Sequence, residues 1–192
     1  MKKIGITGGI GSGKSVISHI LSNMGYPVYD SDSWAKILMN SDSHIKKSLI
    51  SHFGKDCYIN NVLNKTFLAQ QIFNNKENLT FVNSTVHPIV KKHFLEWANN
   101  QNSKFIFIES AILFSSGINN IIDKTIFVDA PQEIRLQRAI LRDNSTIDAI
   151  NNRIKNQLPF ETYDRSHSDF IIQNDNKSLI IPQLLSILNN ID

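Results

Sequence analysis

Gly8-Gly9-Ile10-Gly11-Ser12-Gly13-Lys14-Ser15 lies between two apolar segments near the start of the chain. Before it, Ile4-Gly5-Ile6 has the composition of a buried parallel strand. After it, Val16-Ile17, Ile20-Leu21 and Met24 recur with helical spacing. A strand, a glycine-rich loop and a helix follow one another in this order in a phosphate-binding loop, or P-loop. The backbone N–H groups of such a loop surround an anion at the N-terminus of the helix, so the sequence predicts a nucleotide-phosphate site here.

The residue types within this loop suit phosphate and metal binding. Lys14 can reach the outer phosphates of a nucleotide, and the hydroxyl of Ser15 can hold Mg²⁺. A flexible turn that happens to contain glycines is the alternative, and it leaves Lys14-Ser15 unexplained. We therefore predict that ATP is bound by the following residues: Gly9, Gly11, Ser12, Gly13, Lys14, Ser15 and Val16.

Length and composition exclude several classes of protein. The 192 residues suffice for one domain with small insertions, and the single cysteine, Cys57, excludes an internal disulfide framework. The net charge of +3 is too small to argue for nucleic acid, although it suits a small anionic substrate. No apolar run approaches the ~20 residues of a membrane span, and the N-terminus enters a strand without a signal peptide. We expect a cytoplasmic monomer or small homo-oligomer with no nucleic-acid or membrane partner.

Apolar runs and helical spacing alternate along the chain in the manner of an α/β fold. The predicted strands cover residues 2–7, 28–29, 104–109, 125–129 and 170–172. We expect five parallel strands flanked by helices, with the core formed by about residues 1–30 and 101–192 and a lid at about 138–165. The mostly helical segment at about 31–100 is far longer than a βαβ crossover requires, so it is predicted to be an inserted subdomain that binds the second substrate.

Acidic residues follow two of the predicted strands. Asp30 and Asp32 come directly after the second strand, where open α/β sheets place their ligands. Asp30 or Ser33 can instead serve as the N-cap of the next helix. A kinase needs one carboxylate to accept the proton of a hydroxyl and often another to organise Mg²⁺ and water. Glu109 ends the third strand and is a candidate for supporting Mg²⁺.

Three arginines share one face of the helix that Pro131 opens: Arg135, Arg138 and Arg142. Like charges so placed repel one another, and a bound phosphate would compensate them. A solvated face paired with Asp143 or Glu133 is the alternative, and it is favoured for Arg135. We predict that the other two arginines meet phosphate.

Two helix boundaries are predicted from local signals. Pro88 suits the first turn of a helix, so a helix is expected to begin at His87-Pro88, where His87 alone would more often cap or pack than catalyse. A helix from Thr146 to Asn156 follows the arginine helix and completes an arginine-bearing lid.

The absence of certain motifs excludes several classes of P-loop protein. The chain lacks the guanine-reading Asn-Lys-x-Asp of GTPases, since the nearest candidate is Asn64-Lys65-Thr66-Phe67. Motor and AAA-type ATPases are longer and usually carry Asp-Glu where this chain has Glu109-Ser110. A kinase of a small molecule or nucleotide remains.

An ordered set of motifs along the whole chain resembles the dephospho-CoA kinases. The matching stretches are Thr7–Ser15, Tyr29-Asp30-Ser31-Asp32 with Ala35-Lys36, Val86-His87-Pro88-Ile89, Gln137-Arg138 with Arg142-Asp143, Arg153 with Gln157, and Asp169 with Ile172 and Asn174. The resemblance implies a P-loop kinase core, a helical acceptor-binding domain and a lid. It also implies that ATP phosphorylates the ribose 3′-hydroxyl of dephospho-CoA to give coenzyme A and ADP.

The resemblance also implies residue roles. Asp32 matches the family's proposed base for the 3′-hydroxyl, while Asp30, Lys36 and His87 fall at acceptor-binding motifs. Lys14 and Ser15 would hold phosphates and Mg²⁺, and Arg138 and Arg142 would close over the transferring phosphoryl group.

The sequence departs from the family pattern at a few positions. Lys36 replaces an arginine and so loses the bidentate fork, and Ser31 replaces an alanine. The stretch Glu109–Ser115 departs from the commoner Asp-x-Pro-Leu-Leu-Phe-Glu. A nucleoside or nucleoside-monophosphate kinase is the nearest alternative function, and a non-catalytic P-loop regulatory protein is a more distant one.

Overall fold

The computed structural model describes residues 1–73 and 75–191, and the chain divides into two units. Unit 1 comprises Met1–Tyr29 and the chain from Gln101 onward, and unit 2 comprises Asp30–Asn100. Each unit is described by itself below.

The sheet of unit 1 is built from apolar runs separated by helices. The described strands of the chain are β1 (Lys2–Thr7), β2 (Val28–Asp30), β3 (Tyr58–Ile59), β4 (Val62–Leu63), β5 (Phe105–Glu109), β6 (Lys124–Asp129) and β7 (Phe170–Gln173). Five of them form one sheet in the order β2-β5-β1-β6-β7. The predicted five-stranded parallel sheet is confirmed: β1 pairs in parallel with β5 and with β6, and β6 with β7.

Parallel pairing brings the carboxyl ends of the strands to one edge of the sheet. Ile6 lies opposite Glu109 in the register, Thr7 opposite Phe127, and Asp129 opposite Gln173. The P-loop leaves β1, the central strand, at this edge. The sheet thus places the loop beside the acidic end of β5.

Both units contain helices. In chain order they are α1 (Lys14–Asn23), α2 (Ser31–Ser41), α3 (Ser43–Phe53), α4 (Lys65–Ile72), α5 (Lys76–Asn99), α6 (Gln132–Asp143), α7 (Ile147–His167) and α8 (Ile180–Asn190). Gly25 (φ +87°) follows α1, and the Tyr26 N–H bonds to the Leu21 carbonyl to close the last turn. In unit 1, Ile17 and Leu21 of α1 and Leu184 of α8 pack on the buried strand residues Ile6 and Ile126.

The predicted helix start at His87-Pro88 is wrong, because α5 runs through both residues. Pro88 is exposed, and so is Ser84, whose carbonyl loses its helical N–H partner. Water can therefore replace the missing hydrogen bond. The apolar side of the helix continues without interruption through Val86 and Val90, and its burial holds the two halves in one helix.

Two further differences from the sequence reading have local causes. Within the segment that was predicted to be mostly helical, Asn60 and Asn61 form the turn of a two-stranded hairpin between β3 and β4. Both asparagines have positive φ, +49° and +66°, as the tight hairpin turn requires. In addition, α7 does not end at Asn156 but continues to His167. Polar residues form the buried face of that extension, so it carries no apolar helical periodicity.

Candidate phosphate-binding site

The P-loop joins β1 to α1 in a conformation that only glycine adopts without strain. Gly11 (φ +72°) and Gly13 (φ +98°) both lie in the left-handed region. A Cβ on Gly13 would lie 2.1 Å from Nδ2 of Asn174, and one on Gly11 would lie 2.2 Å from the carbonyl oxygen of Arg135. Gly13 is also the N-cap of α1 and contributes no side chain there. The first turn of α1 therefore has no side-chain cap that would compete with an anion for its backbone N–H groups.

The amine of Lys14 lies against the loop. Its Nζ donates to the carbonyl oxygens of Gly8 at 2.9 Å and Gly9 at 3.2 Å. These are neutral acceptors, and a phosphate oxygen makes a stronger, charge-assisted bond with an ammonium group. The side chain is thus held where the loop would receive an anion.

The two residues predicted to bind a metal lie together. The hydroxyl of Ser15, in the first turn of α1, donates to Oε1 of Glu109, at the end of β5, over 3.0 Å. A hydroxyl and a carboxylate are hard oxygen ligands of the kind that Mg²⁺ prefers. Within the described part of the chain, no group of three or more His, Cys, Asp or Glu side chains could hold a metal ion. The pair therefore fits a Mg²⁺ ion that is bound largely by water and phosphate.

Arg135 differs from its sequence interpretation. The solvated face favoured for this residue is wrong: its side chain is 9% exposed and forms two 2.7 Å bonds with Glu161 of α7, whose side chain is 10% exposed. Its Nε donates to the carbonyl oxygen of Ile10 in the P-loop at 2.9 Å. Residues of α7 pack over the start of α6 and bury Arg135, the first of the three arginines.

Arg138 lies near the other end of the P-loop. Its Nη2 donates to Oδ1 of Asn174 at 3.2 Å and also to Asn176. The Nδ2 of Asn174 in turn donates to the carbonyl oxygen of Ser12 at 2.8 Å. Asn174 is buried and connects Arg138 with the loop.

Arg142 is engaged at the tip of the two-helix segment. Its Nε donates to Asp143 at 2.7 Å, and Arg153 of α7 donates to the same carboxylate at 2.7 Å. These hydrogen bonds lower the pKa of Asp143 to about 2. Both arginine side chains are more than half exposed. Arg142 must leave Asp143 in order to contact a phosphate.

One face of α7 contacts β1 and the P-loop, and the only feature of the sequence that indicates this face is the i, i+4, i+7 spacing of its polar residues. Gln157 accepts from the N–H of Ile10 at 3.2 Å, Glu161 binds Arg135, and Asp164 accepts from the hydroxyl of Thr7 at 3.2 Å. Burial, with Glu161 nearby, raises the pKa of Asp164 to about 6. Glu161 and Asp164 were not among the predicted site residues.

In unit 2, the alternative role of Asp30 as an N-cap is confirmed. Its Oδ1 accepts from the N–H groups of Asp32 and Ser33 at 3.0 and 3.1 Å, and its Oδ2 accepts from the Ser33 hydroxyl at 2.6 Å. Asp32 lies in the first turn of α2, one helical turn before Lys36, and both are exposed. The two charged side chains therefore lie on the same side of α2.

Unit 2 also contains an apolar cavity of about 240 Å³. Its lining comes from α2, β4 and α4: Lys36, Met39, Asn40, Leu63, Lys65, Leu68, Ala69 and Ile72. Apart from Asn40 and two lysines, the lining is aliphatic. His87, the remaining predicted acceptor residue, is half-buried on α5, and burial together with the charge of Lys91 lowers its pKa.

A P-loop at the centre of a five-stranded parallel sheet, with helices around it, defines the class as the P-loop kinase fold. Shikimate kinase from Acinetobacter baumannii shares this fold at a TM-score of 0.58 and 15% identity, over 100% of this chain and 95% of its own. A Thermus thermophilus protein, TT1252, is more similar, with a TM-score of 0.85, 28% identity and coverage of 100% and 98%.

Sequence comparison identifies the family within this class. The family model for dephospho-CoA kinase matches residues 2–179. The dephospho-CoA kinase of Porphyromonas gingivalis is 42% identical over all of this chain and 95% of its own length, and that of Fusobacterium nucleatum is 35% identical over 90% and 89%. The chain belongs to the dephospho-CoA kinase family, which confirms the resemblance seen in its motifs. No helix in the described ranges is long and apolar enough to cross a membrane.

Proposed function

We propose that this protein transfers the γ-phosphoryl group of ATP to the ribose 3′-hydroxyl of dephospho-CoA, giving coenzyme A and ADP. The observation that carries the proposal is the family match over residues 2–179, which spans the P-loop of unit 1 and all of unit 2. Both substrates are metabolites of the cell interior, and we propose a cytoplasmic enzyme on that ground.

On the ATP side, the backbone N–H groups at the start of α1 would bind the phosphates, and Lys14 would exchange its loop carbonyls for phosphate oxygens. Ser15 and Glu109 would hold Mg²⁺, Ser15 directly and Glu109 through water. When bound, the ion neutralises charge on the phosphates and aligns them. The 3.0 Å contact between Ser15 and Glu109 supports this assignment.

Two arginines of α6 would stabilise charge on the transferring phosphoryl group. Arg138 is held by Asn174, which also holds the Ser12 carbonyl of the loop. Arg142 would exchange Asp143 for phosphate, an exchange made easier by the exposure of its side chain. Their planar donors suit the equatorial oxygens of the reacting group.

On the acceptor side, Asp32 would orient the 3′-hydroxyl and take its proton late in the transfer. The N-cap made by Asp30 fixes the first turn of α2, which carries Asp32. Direct contacts of Asp30, Lys36 and His87 with the acceptor stay predictions.

The apolar cavity of unit 2 suits the part of dephospho-CoA that is not nucleotide. Its lining of Met39, Leu63, Leu68 and Ile72 would pack against the pantetheine arm, which is a flexible, largely aliphatic chain. The amine of Lys36 lies on an exposed stretch of α2 and can meet the diphosphate.

The test is ATP consumption by the purified protein with Mg²⁺, with and without dephospho-CoA, and the mass of the product. Coenzyme A formed in proportion to ADP supports the proposal. Binding of ATP without transfer to dephospho-CoA contradicts it, and a panel of nucleosides and nucleoside monophosphates then identifies the acceptor.

In the same assay, Asp32→Asn should lower kcat by at least about a hundredfold with an unchanged KM for ATP. The control variant Glu96→Gln, on the exposed surface of α5, should leave kcat unchanged. Near-normal kcat in Asp32→Asn would remove Asp32 from the mechanism.

A further inference from the structure

A buried ion pair joins α6 to α7 in unit 1. Arg135 and Glu161 form two parallel bonds of 2.7 Å with side chains only 9% and 10% exposed. Burial of two charges carries a desolvation cost that close pairing offsets only in part. Apolar residues of similar volume often join two helices as stably as a buried ion pair does, so the stability of the helix pair does not by itself explain these two charges.

The pair contacts the P-loop at its one non-glycine position between Gly9 and Gly11. Nε of Arg135 donates to the carbonyl oxygen of Ile10 at 2.9 Å, while Gln157 accepts from the N–H of Ile10 at 3.2 Å. Both polar groups of the Ile10 backbone are thus held by side chains of α6 and α7.

Gly9 lies directly against the same pair. A Cβ built on it would lie 2.2 Å from Nη2 of Arg135 and 2.3 Å from Oε1 of Glu161. The bidentate pair therefore occupies the surface on which this part of the loop rests. A glycine at this position is explained by the ion pair, and no phosphate contact is needed to account for it.

We propose that Glu161 is a positioning residue for the P-loop, acting through Arg135 to hold the Ile10 backbone in the conformation that receives ATP. A loop of several glycines samples many conformations when nothing restrains it. Restraint before binding lowers the entropy that ATP binding must otherwise remove. The proposal rests on the proposed function only in taking ATP as the ligand.

The opposing explanation is that the pair does no more than join α6 to α7. Exchanging the charges separates the two explanations. The double variant Arg135→Glu/Glu161→Arg can re-form an ion pair between the helices, but a carboxylate at position 135 cannot donate to the carbonyl oxygen of Ile10. The double variant can therefore recover the stability of the folded protein without recovering the restraint on the Ile10 backbone.

The experiment measures the Kd for ATP by equilibrium titration, the KM for each substrate, and the urea unfolding midpoint. Glu161→Gln should raise the Kd for ATP about tenfold, with the KM for dephospho-CoA within about twofold of wild type. The charge-exchanged variant should recover the unfolding midpoint relative to Glu161→Gln but retain the weak ATP binding. Lys124→Gln, which breaks the partly exposed Lys124–Asp169 pair of the same unit, is the control and should leave the Kd for ATP unchanged.

Wild-type ATP affinity in Glu161→Gln, or recovery of affinity together with stability in the exchanged pair, would overturn the proposal. If Glu161→Gln does not fold, Gln157→Met tests the other restraint on Ile10: a Kd raised about threefold supports the proposal, and an unchanged Kd overturns it. The titration needs no acceptor. If the wild type binds ATP but forms no coenzyme A, the proposed function is refuted, and the ATP titration still tests the positioning role of Glu161. A wild type that does not bind ATP would overturn both proposals.

Discussion

Replacement of Asp164 by asparagine is expected to stabilise the protein at neutral pH. Asp164 is only 5% exposed on the inner face of α7, where Thr7 donates a 3.2 Å hydrogen bond to it. Burial and the nearby charge of Glu161 raise its pKa from 3.8 to about 6, against the opposing effects of the Thr7 hydrogen bond and of His167. At neutral pH the protein therefore buries a carboxylate that folding disfavours.

The direction in which pH changes the free energy of unfolding follows from how tightly Asp164 binds its proton in the folded and unfolded states. The folded protein holds the Asp164 proton more tightly than the unfolded chain, so stability falls as the pH rises from about 4 to about 6 and the penalty is complete above that range. A shift of about two pKa units corresponds to about 3 kcal/mol, which relaxation of solvent and protein around the charge reduces to about 1–2 kcal/mol. Asparagine removes the charge and can still accept from Thr7.

Urea unfolding of wild type and Asp164→Asn between pH 4 and pH 8 measures this difference. The variant should be more stable by about 1–2 kcal/mol above pH 6, and the two curves should converge near pH 4. Asp143→Asn is a control of opposite sign, because hydrogen bonds from Arg142 and Arg153 lower the Asp143 pKa to about 2. It should cost less than about 1 kcal/mol at neutral pH, since the partners are exposed. An Asp164→Asn variant that is less stable than wild type at pH 7 would refute the reasoning.

Three further predictions concern the candidate site. Glu109→Gln should raise the Mg²⁺ concentration for half-maximal activity by about tenfold, measured by Mg²⁺ titration at fixed ATP; unchanged dependence would exclude Glu109 from metal support. Ala69→Trp fills the apolar cavity of unit 2 and should raise the KM for dephospho-CoA by at least about tenfold, but not that for ATP; equal effects on both would argue against a pantetheine site. Gly13→Ala, with φ at +98° and a Cβ 2.1 Å from Asn174, should weaken ATP binding and lower stability by about 1–3 kcal/mol, measured by titration and urea unfolding; wild-type behaviour would mean that the loop adapts.

The sheet was predictable because its strands carry strong local signals. β5 is an uninterrupted apolar run, and the glycine-rich loop fixes where β1 ends and α1 begins. Once the strands are parallel, their carboxyl ends share an edge, so the proximity of Ser15 and Glu109 follows from topology. Their role in metal binding stays a prediction.

The contacts of α7 were not predictable, because they depend on polar side chains that become buried only in the folded unit. Glu161 and Asp164 have the composition of a solvated helix face, and no apolar period distinguishes them. The helix start predicted at Pro88 is wrong because the local signal of the proline is outweighed by tertiary packing. The apolar side of α5 continues across Pro88 and keeps the helix in one piece.

The three arginines of α6 show why a shared face does not imply a shared role. Spacing places them in one row, but each turn of the helix advances the row by about 5 Å. Arg135 reaches Ile10 and Glu161, Arg138 reaches Asn174 beside the loop, and Arg142 reaches Asp143 at the tip. The start of α6 is thus fixed to the P-loop while its end is not. We therefore expect any closing movement over bound ATP to occur in the part of α6 beyond Arg138. If all three arginines moved together as a rigid lid, the movement would have to break the buried Arg135–Glu161 pair.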